Sequence, residues 1–115
     1  MIAHHNFEEE FSEQLRCLAR NDPLLVILDL REKEIGDTGA AAIAQALTSN
    51  SVITKLKLAR KGIRYTGAAS IAQALSSNST LTTLDIHSNQ IGPTGAASIA
   101  EALASNSTLT KLNLS

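Results

Sequence analysis

Residues Leu81 to Leu103 read LTTLDIHSNQIGPTGAASIAEAL, and two hydrophobic periods meet inside this stretch. Leu84 and Ile86 alternate with Asp85 and His87, the period of a strand with one buried face. Past a turn carrying Ile91, the small and branched apolar residues of Thr94 to Leu103 recur at helical spacing. One strand followed by one helix is therefore the unit to look for on either side.

The unit recurs with a period of 28 residues, opening at Leu25, Ile53, Leu81 and Leu109. A period of this length signals a solenoid, in which a unit buries its apolar face only by stacking on its neighbours. Leu28 and Leu30, Leu56 and Leu58, and Leu112 and Leu114 repeat the inward strand positions of Leu84 and Ile86. Ala40, Ile43, Ala44 and Leu47 give the inward helical stripe in the first unit. Thr38, Thr66 and Thr94 are the expected N-caps. Asn50, Asn78 and Asn106 stand where the helices should stop, in the left-handed conformation that asparagine tolerates. The organisation expected is a capping helix and turn over residues 1–24, full repeats at 25–52, 53–80 and 81–108, and a partial repeat at 109–115.

The pattern LxxLxLxxNxIG in Leu81 to Gly92, with TGAASIAEAL in Thr94 to Leu103, resembles the leucine-rich repeats of the ribonuclease-inhibitor type. That class is found also at the C-terminal ends of NOD-like receptors, and the resemblance spans Leu25 to Ser115. It implies an α/β solenoid whose parallel sheet lines a concave side while helices cover the convex side. Asn89 fills the position at which such repeats bond the neighbouring turn, but the first two units carry Lys33 and Lys61 there. Lysine can only donate. Both lysines are expected to extend to solvent, with water replacing the lost bonds; the alternative reading makes them part of a basic ridge.

The segment before the repeats has helical signals of its own. Asn6 and Glu9 have capping-box spacing, and Phe7, Phe11, Leu15 and Leu18 recur at helical intervals. Glu8, Glu10 and Glu13 supply the polar outer face that a solenoid cap needs, and Asp22 with Pro23 ends the helix. His4 and His5 have no thiol or carboxylate at ligand spacing, so a frayed terminus is expected there rather than a metal site.

Composition narrows the function classes. The net charge of -1, the single cysteine Cys17 and the 3% aromatic content provide no field for nucleic acid, no internal disulfide and few stacking residues. No apolar run reaches membrane-spanning length, and no basic-then-apolar leader opens the chain, so a cytoplasmic protein is expected. Phosphate loops, dinucleotide fingerprints and zinc spacings are missing, and neither a cofactor nor a metal is expected. Asp85, His87 and Ser115 fall on neighbouring exposed strand positions and suggest a hydrolase triad. An open sheet with no oxyanion hole argues against it, and a non-enzyme is expected. Cys17 reads as a helix residue beside the core.

What remains is a binding scaffold. Period-2 alternation assigns its concave partner-binding face to Ile27, Asp29, Arg31, Lys55, Lys57, Thr83, Asp85, His87, Lys111 and Asn113, the positions where the units differ most. Asp29, Lys57 and Asp85 alternate in charge across strands, each contact being worth about 0.2–1 kcal/mol. Lys55, Lys57, Arg60, Lys61 and Arg64 concentrate base in the second unit, which suits an acidic protein partner. Four strands offer only about 300 Å² of face, against about 800 Å² on each side of a standard interface. The partial unit leaves a second candidate: Ile99, Leu103, Leu109, Leu112 and Leu114 are expected to form an apolar edge. That edge is where another repeat or a second copy would stack, as a homodimer or within a longer array.

Overall fold

A computed structural model describes residues 7–30 and 34–114. In chain order the elements are α1 (Phe7–Ala19), β1 (Ile27–Asp29), α2 (Gly36–Ser49), β2 (Lys55–Lys57), α3 (Tyr65–Ser77), β3 (Thr83–Asp85), α4 (Gly92–Leu103) and β4 (Lys111–Asn113). The strands form one parallel sheet in the order β1-β2-β3-β4. Its register joins Leu28 to Leu56, Leu56 to Leu84 and Leu84 to Leu112, so each strand sits one 28-residue step from the next. The helices make the second layer, with α1 packed on α2, α2 on α3 and α3 on α4. Leu28, Leu56 and Leu84 meet Ile43, Leu47, Ile71 and Leu75 between the layers, all excluded from solvent. Each such side chain contributes about 1.5–3 kcal/mol. Leu112 and Leu114 are half-buried and pack on the same core.

Parallel strands need crossovers, and each crossover helix ends in a polar junction that must be satisfied without water. Asparagine does this at 28-residue intervals. The Asn78 amide donates to the carbonyls of Leu47 and Asn50, both at 2.9 Å, while its Oδ1 accepts the N–H groups of Thr80 and Leu81. Asn50 donates to Leu18 and accepts from Val52 and Ile53. Asn106 donates to Leu75 and Asn78 and accepts from Thr108 and Leu109. The expected left-handed conformation is not the one used: Asn50 and Asn78 are extended, with ψ near 135° and 133°. An extended backbone lets the side chain turn back over the preceding repeat. A left-handed asparagine does end a helix, but it is Asn21, φ 60°, after α1. There the N–H of Asp22 bonds the Cys17 carbonyl and that of Asn21 the Leu18 carbonyl, closing a Schellman turn.

The helices begin earlier than the threonines suggest. Ile35, Arg64 and Ile91 precede α2, α3 and α4, and none of these helices has a side-chain cap from its own N-cap residue. Thr38, Thr66 and Thr94 lie within the first turns. The start of α3 is capped from the preceding repeat: Asp37 accepts the Arg64 N–H at 2.6 Å, the Thr66 hydroxyl and the Gly67 N–H. Burial raises the Asp37 carboxyl, but these bonds outweigh it and hold the group below the usual carboxylate range. Gly67 is required by the same packing, since a Cβ there would lie 2.6 Å from the Asp37 carboxylate and 2.8 Å from Ile63.

The second turn departs from the other two. Gly36 and Gly92 share a register and positive φ, whereas unit two has Arg64 at that position and puts the left-handed residue at Gly62, φ 72°. Asn89 bridges units two and three as the family pattern implies, donating to the carbonyls of Leu58, Ile86 and His87 and accepting from Lys61 and Ile63. Between units one and two the bond is made differently: the Lys61 carbonyl takes the N–H groups of Ile35 and Gly36. The Lys61 side chain does not run out to water; the residue is only 4% exposed. Lys33, Asn6, His4 and His5 lie outside the described residues, and nothing is assigned to the side chains of Phe7, Glu8 and Glu9. Of the remaining α1 positions, Leu18 is buried, Phe11 and Leu15 pack half-buried against the core, Glu13 is exposed and Glu10 half-buried.

Asn78→Ala strands four buried backbone groups and is expected to lower the unfolding free energy by about 3 kcal/mol, read from urea titrations. Asn106→Ala, at a half-exposed rung, should cost less than half as much, and equal losses would remove the ladder as the cause. Because the Asp37 carboxyl is lowered on folding, its stabilisation is present above the ordinary aspartate range and lost as pH falls through the lowered value. Asp37→Asn should therefore be less stable than wild type at neutral pH, with the gap closing in acid below the ordinary aspartate range. A gap that persists in acid would assign the loss to packing.

Candidate functional site

The sheet's outward face is set by register. Ile27, Lys55, Thr83 and Lys111 form one column and Asp29, Lys57, Asp85 and Asn113 the next. Ile27, Asp29, Lys55, Lys57, Lys111 and Asn113 are exposed, while Thr83, Asp85 and His87 are half-buried. Every described member of the face read from the sequence thus lies on one surface. Arg31 and Ser115 lie outside the described residues. Between the columns and the turns is a shallow recess of about 520 Å³, bounded by Asp29, Lys57, Ala59, Arg60, Asp85 and His87 among others.

Charge is segregated along the chain. Residues 1–37 carry nine acidic and four basic side chains, whereas residues 38–84 carry five basic and no acidic ones. The helices contribute little to this: α2, α3 and α4 hold only Asp37 and Glu101 among charged residues. Arg60 and Arg64 extend the basic surface from the strand face to the turn and are exposed; Arg60 occupies the left-handed region at φ 57°. Lys61 belongs to the buried turn instead and is removed from the stripe.

Two residues of the supposed triad do pair. His87 Nδ1 lies 2.5 Å from Asp85 Oδ1, and the same oxygen accepts the His87 N–H at 3.1 Å. Burial raises the Asp85 carboxyl, but the bonds from His87 and the charges of His87 and Lys57 outweigh it, leaving the group below the ordinary range. The carboxylate holds the ring through Nδ1, so the two side chains form one polar unit on the face. Cys17, half-buried on α1, accepts a bond from Arg20 and sits by Glu13; burial pushes its thiol up, which suppresses the reactive thiolate.

The apolar edge expected at the last repeat is only partly there. Ile99 is fully buried on the inner side of α4 and cannot contribute to a contact surface. Leu103, Leu109, Leu112 and Leu114 are half-buried against the core. The most exposed large apolar residues lie elsewhere, at Leu24, Val26, Ile27 and Tyr65. Sequence reasoning listed Ile27 among the binding residues but missed its two apolar neighbours. Their signal was a comparison between units: later repeats place Thr80 and Thr108, and Thr54, Thr82 and Thr110, at the positions of Leu24 and Val26.

A parallel sheet backed by helices, with leucines at a 28-residue step and an asparagine-closed turn, defines a leucine-rich-repeat domain. The profile of the TMOD/LMOD leucine-rich domain matches residues 8–115, and the chain belongs to that family. Among solved structures, one described as leiomodin-1 actin-binding site 2 superposes with a TM-score of 0.86 at 31% identity, over 90% of this chain and 62% of that one. This chain thus spans less than two thirds of that relative. The C-terminal domain of tropomodulin from Caenorhabditis elegans superposes with a TM-score of 0.66 at 14% identity, over 92% of this chain and 83% of that one, a likeness of fold. No curated protein matches the chain in sequence. Among the described residues, no helix is long and apolar enough to cross a membrane, and no group of three or more His, Cys, Asp or Glu side chains is placed to hold a metal ion.

A carboxylate oxygen 2.5 Å from His87 Nδ1 favours the tautomer that carries its proton there. Nitrogen-15 spectra of the neutral imidazole should show the Nδ1–H form, and Asp85→Ala should shift it toward the Nε2–H form. An unchanged tautomer would mean the pair does not orient the ring.

Proposed function

We propose that this domain binds actin through the strand face of its sheet. The observation carrying the reading is the charge layout: residues 38–84 carry five basic and no acidic side chains, and Lys55, Lys57, Arg60 and Arg64 are exposed along β2 and its turn, on a chain of the TMOD/LMOD leucine-rich family. The relative described as an actin-binding site, at 31% identity, supplies the candidate partner. Lys55, Lys57, Arg60 and Arg64 meet an acidic surface of that partner, and Asp29, Asp85 and His87 set the register beside them. We read the repeat as of ribonuclease-inhibitor type, with the strand face concave. The strands alone offer about 300 Å², well under the roughly 800 Å² of a standard contact, so the footprint includes the turn that carries Arg60 and Arg64. An actin partner implies a cytoplasmic address, and the domain acts by binding rather than by catalysis.

The test is binding to monomeric and filamentous actin, by titration and by co-sedimentation, for wild type and the Lys57→Glu, Arg60→Glu double variant. Wild type is expected to bind one or both forms, and the double variant at least about 10-fold more weakly while keeping its thermal transition. Added salt should weaken the wild-type complex. Wild type binding neither form would overturn actin as partner. A double variant that binds as well as wild type would move the contact off the strand face.

A further inference from the structure

Unit two departs from its neighbours at one more place. In the 28-residue register Asp37, Tyr65 and Pro93 are equivalent. Two of the three serve the scaffold. Asp37 caps the start of α3 from the repeat before it, and Pro93 lies in the first turn of α4, where its fixed φ suits a helix start. Tyr65 does neither. It is 56% exposed at the head of α3, and no described residue bonds its hydroxyl. Both phenylalanines belong to α1 and the chain has no tryptophan, so Tyr65 is the one aromatic group of the repeats.

Its backbone is fixed from both sides. Arg64 before it is extended, at φ -108° and ψ -163°, with its N–H held by Asp37 at 2.6 Å and its backbone bridged in parallel to Gln90 of the third unit. From the next repeat, Gly95 approaches so closely that a Cβ there would lie 3.4 Å from the Tyr65 Cα. The ring therefore stands on a mount tied to the units before and after it, and little backbone freedom is left to lose on binding. Arg64 adjoins it in sequence, and Arg60 is exposed in the same turn between β2 and α3. Neither guanidinium is ion-paired among the described residues, whose pairs are confined to Glu13, Arg16, Arg20 and Asp22 and to Asp85 with His87.

Protein contacts draw most of their strength from a few Tyr, Trp and Arg side chains seated in pockets of the partner. An exposed tyrosine by itself is ordinary. One on a fixed backbone, beside two unpaired arginines and next to the charged strand face, is the arrangement that such contacts use. We propose that Tyr65 anchors the actin contact, its ring entering an apolar pocket of the partner while Arg60 and Arg64 meet carboxylates at the rim of that pocket. The proposal rests on the actin reading above and names the residue on which the strength of that contact turns. The strands offer only about 300 Å², and covering the ring adds on the order of 100 Å² on the turn side. Lys55 and Lys57 supply attraction at a distance and Tyr65 the hold at contact, so their loss should respond differently to salt.

The test is titration with monomeric and filamentous actin at low and high salt, for the wild-type chain, Tyr65→Ala, Tyr65→Phe and the Lys57→Glu, Arg60→Glu double variant. Tyr65→Ala is expected to bind at least about 10-fold more weakly, with the thermal transition and the salt dependence of wild type, because no scaffold bond and no charge is removed. Tyr65→Phe, which keeps the ring, should recover most of that affinity. The double variant should lose affinity together with part of the salt dependence. Tyr65→Ala binding like wild type, while the double variant is weakened, would overturn the anchor and leave the actin reading standing. Tyr65→Phe as weak as Tyr65→Ala would overturn the ring as the anchor, and a lowered thermal transition in Tyr65→Ala would assign the loss to folding instead. Wild type binding neither form of actin would overturn the actin reading itself and this inference with it.

Discussion

Satisfaction of the backbone groups where each helix turns back to the next strand is the constraint on which the other features rest. A strand-helix unit of 28 residues buries its leucines only if the next unit comes close, and close approach excludes water from the helix ends. Asn50, Asn78 and Asn106 resolve this by reaching back with two donors while the amide oxygen closes their own turn. Asparagine suits the position because one short side chain offers donors and an acceptor together. The aspartate at the same register before the first repeat, Asp22, keeps the acceptor half alone, taking the Leu24 N–H.

That shared scaffold leaves the outward face free to vary. The residues under strongest packing demand, such as Leu56, Ile71 and Gly67, face the core or the neighbouring helix. Those of the columns carry charge in an order that differs from strand to strand. The turn of the second unit shows how far variation can go before packing responds. Losing asparagine there is met by a backbone carbonyl, by a left-handed glycine two residues earlier and by an aspartate borrowed from the preceding helix. The same rearrangement sets Arg64 at the head of α3 and buries Lys61.

Much of this was legible in the sequence, because period and register are properties of spacing. The strand positions Leu28, Leu56 and Leu84, the inward helical stripe and the columns of the candidate face follow from alternation alone. Capping was not legible in the same way. The bond from Asp37 to the start of α3 joins residues 27 apart, and no local motif encodes it. Asn50 and Asn78 were read as local helix stops although their side chains act across repeats. Lys61 was expected in water because lysine usually is, and its burial depends on how the turn folds around it. Ile99 was read as an edge residue on the flank of the last helix, but helix phase turns it inward.

The side-chain bonds that the helix-end asparagines and the strand threonines donate between repeats also have a direction. Asn50, Asn78 and Asn106 donate to carbonyls that precede them in the chain, and the threonine hydroxyls do the same. A repeat emerging from the ribosome therefore meets acceptors already in place on the repeat made before it. Each 28-residue segment can dock as it is synthesised, with contacts that span about one repeat rather than the whole chain. In such a stack the order of synthesis and the order of assembly coincide, and the leucine face of a nascent unit is covered without waiting for the rest of the chain.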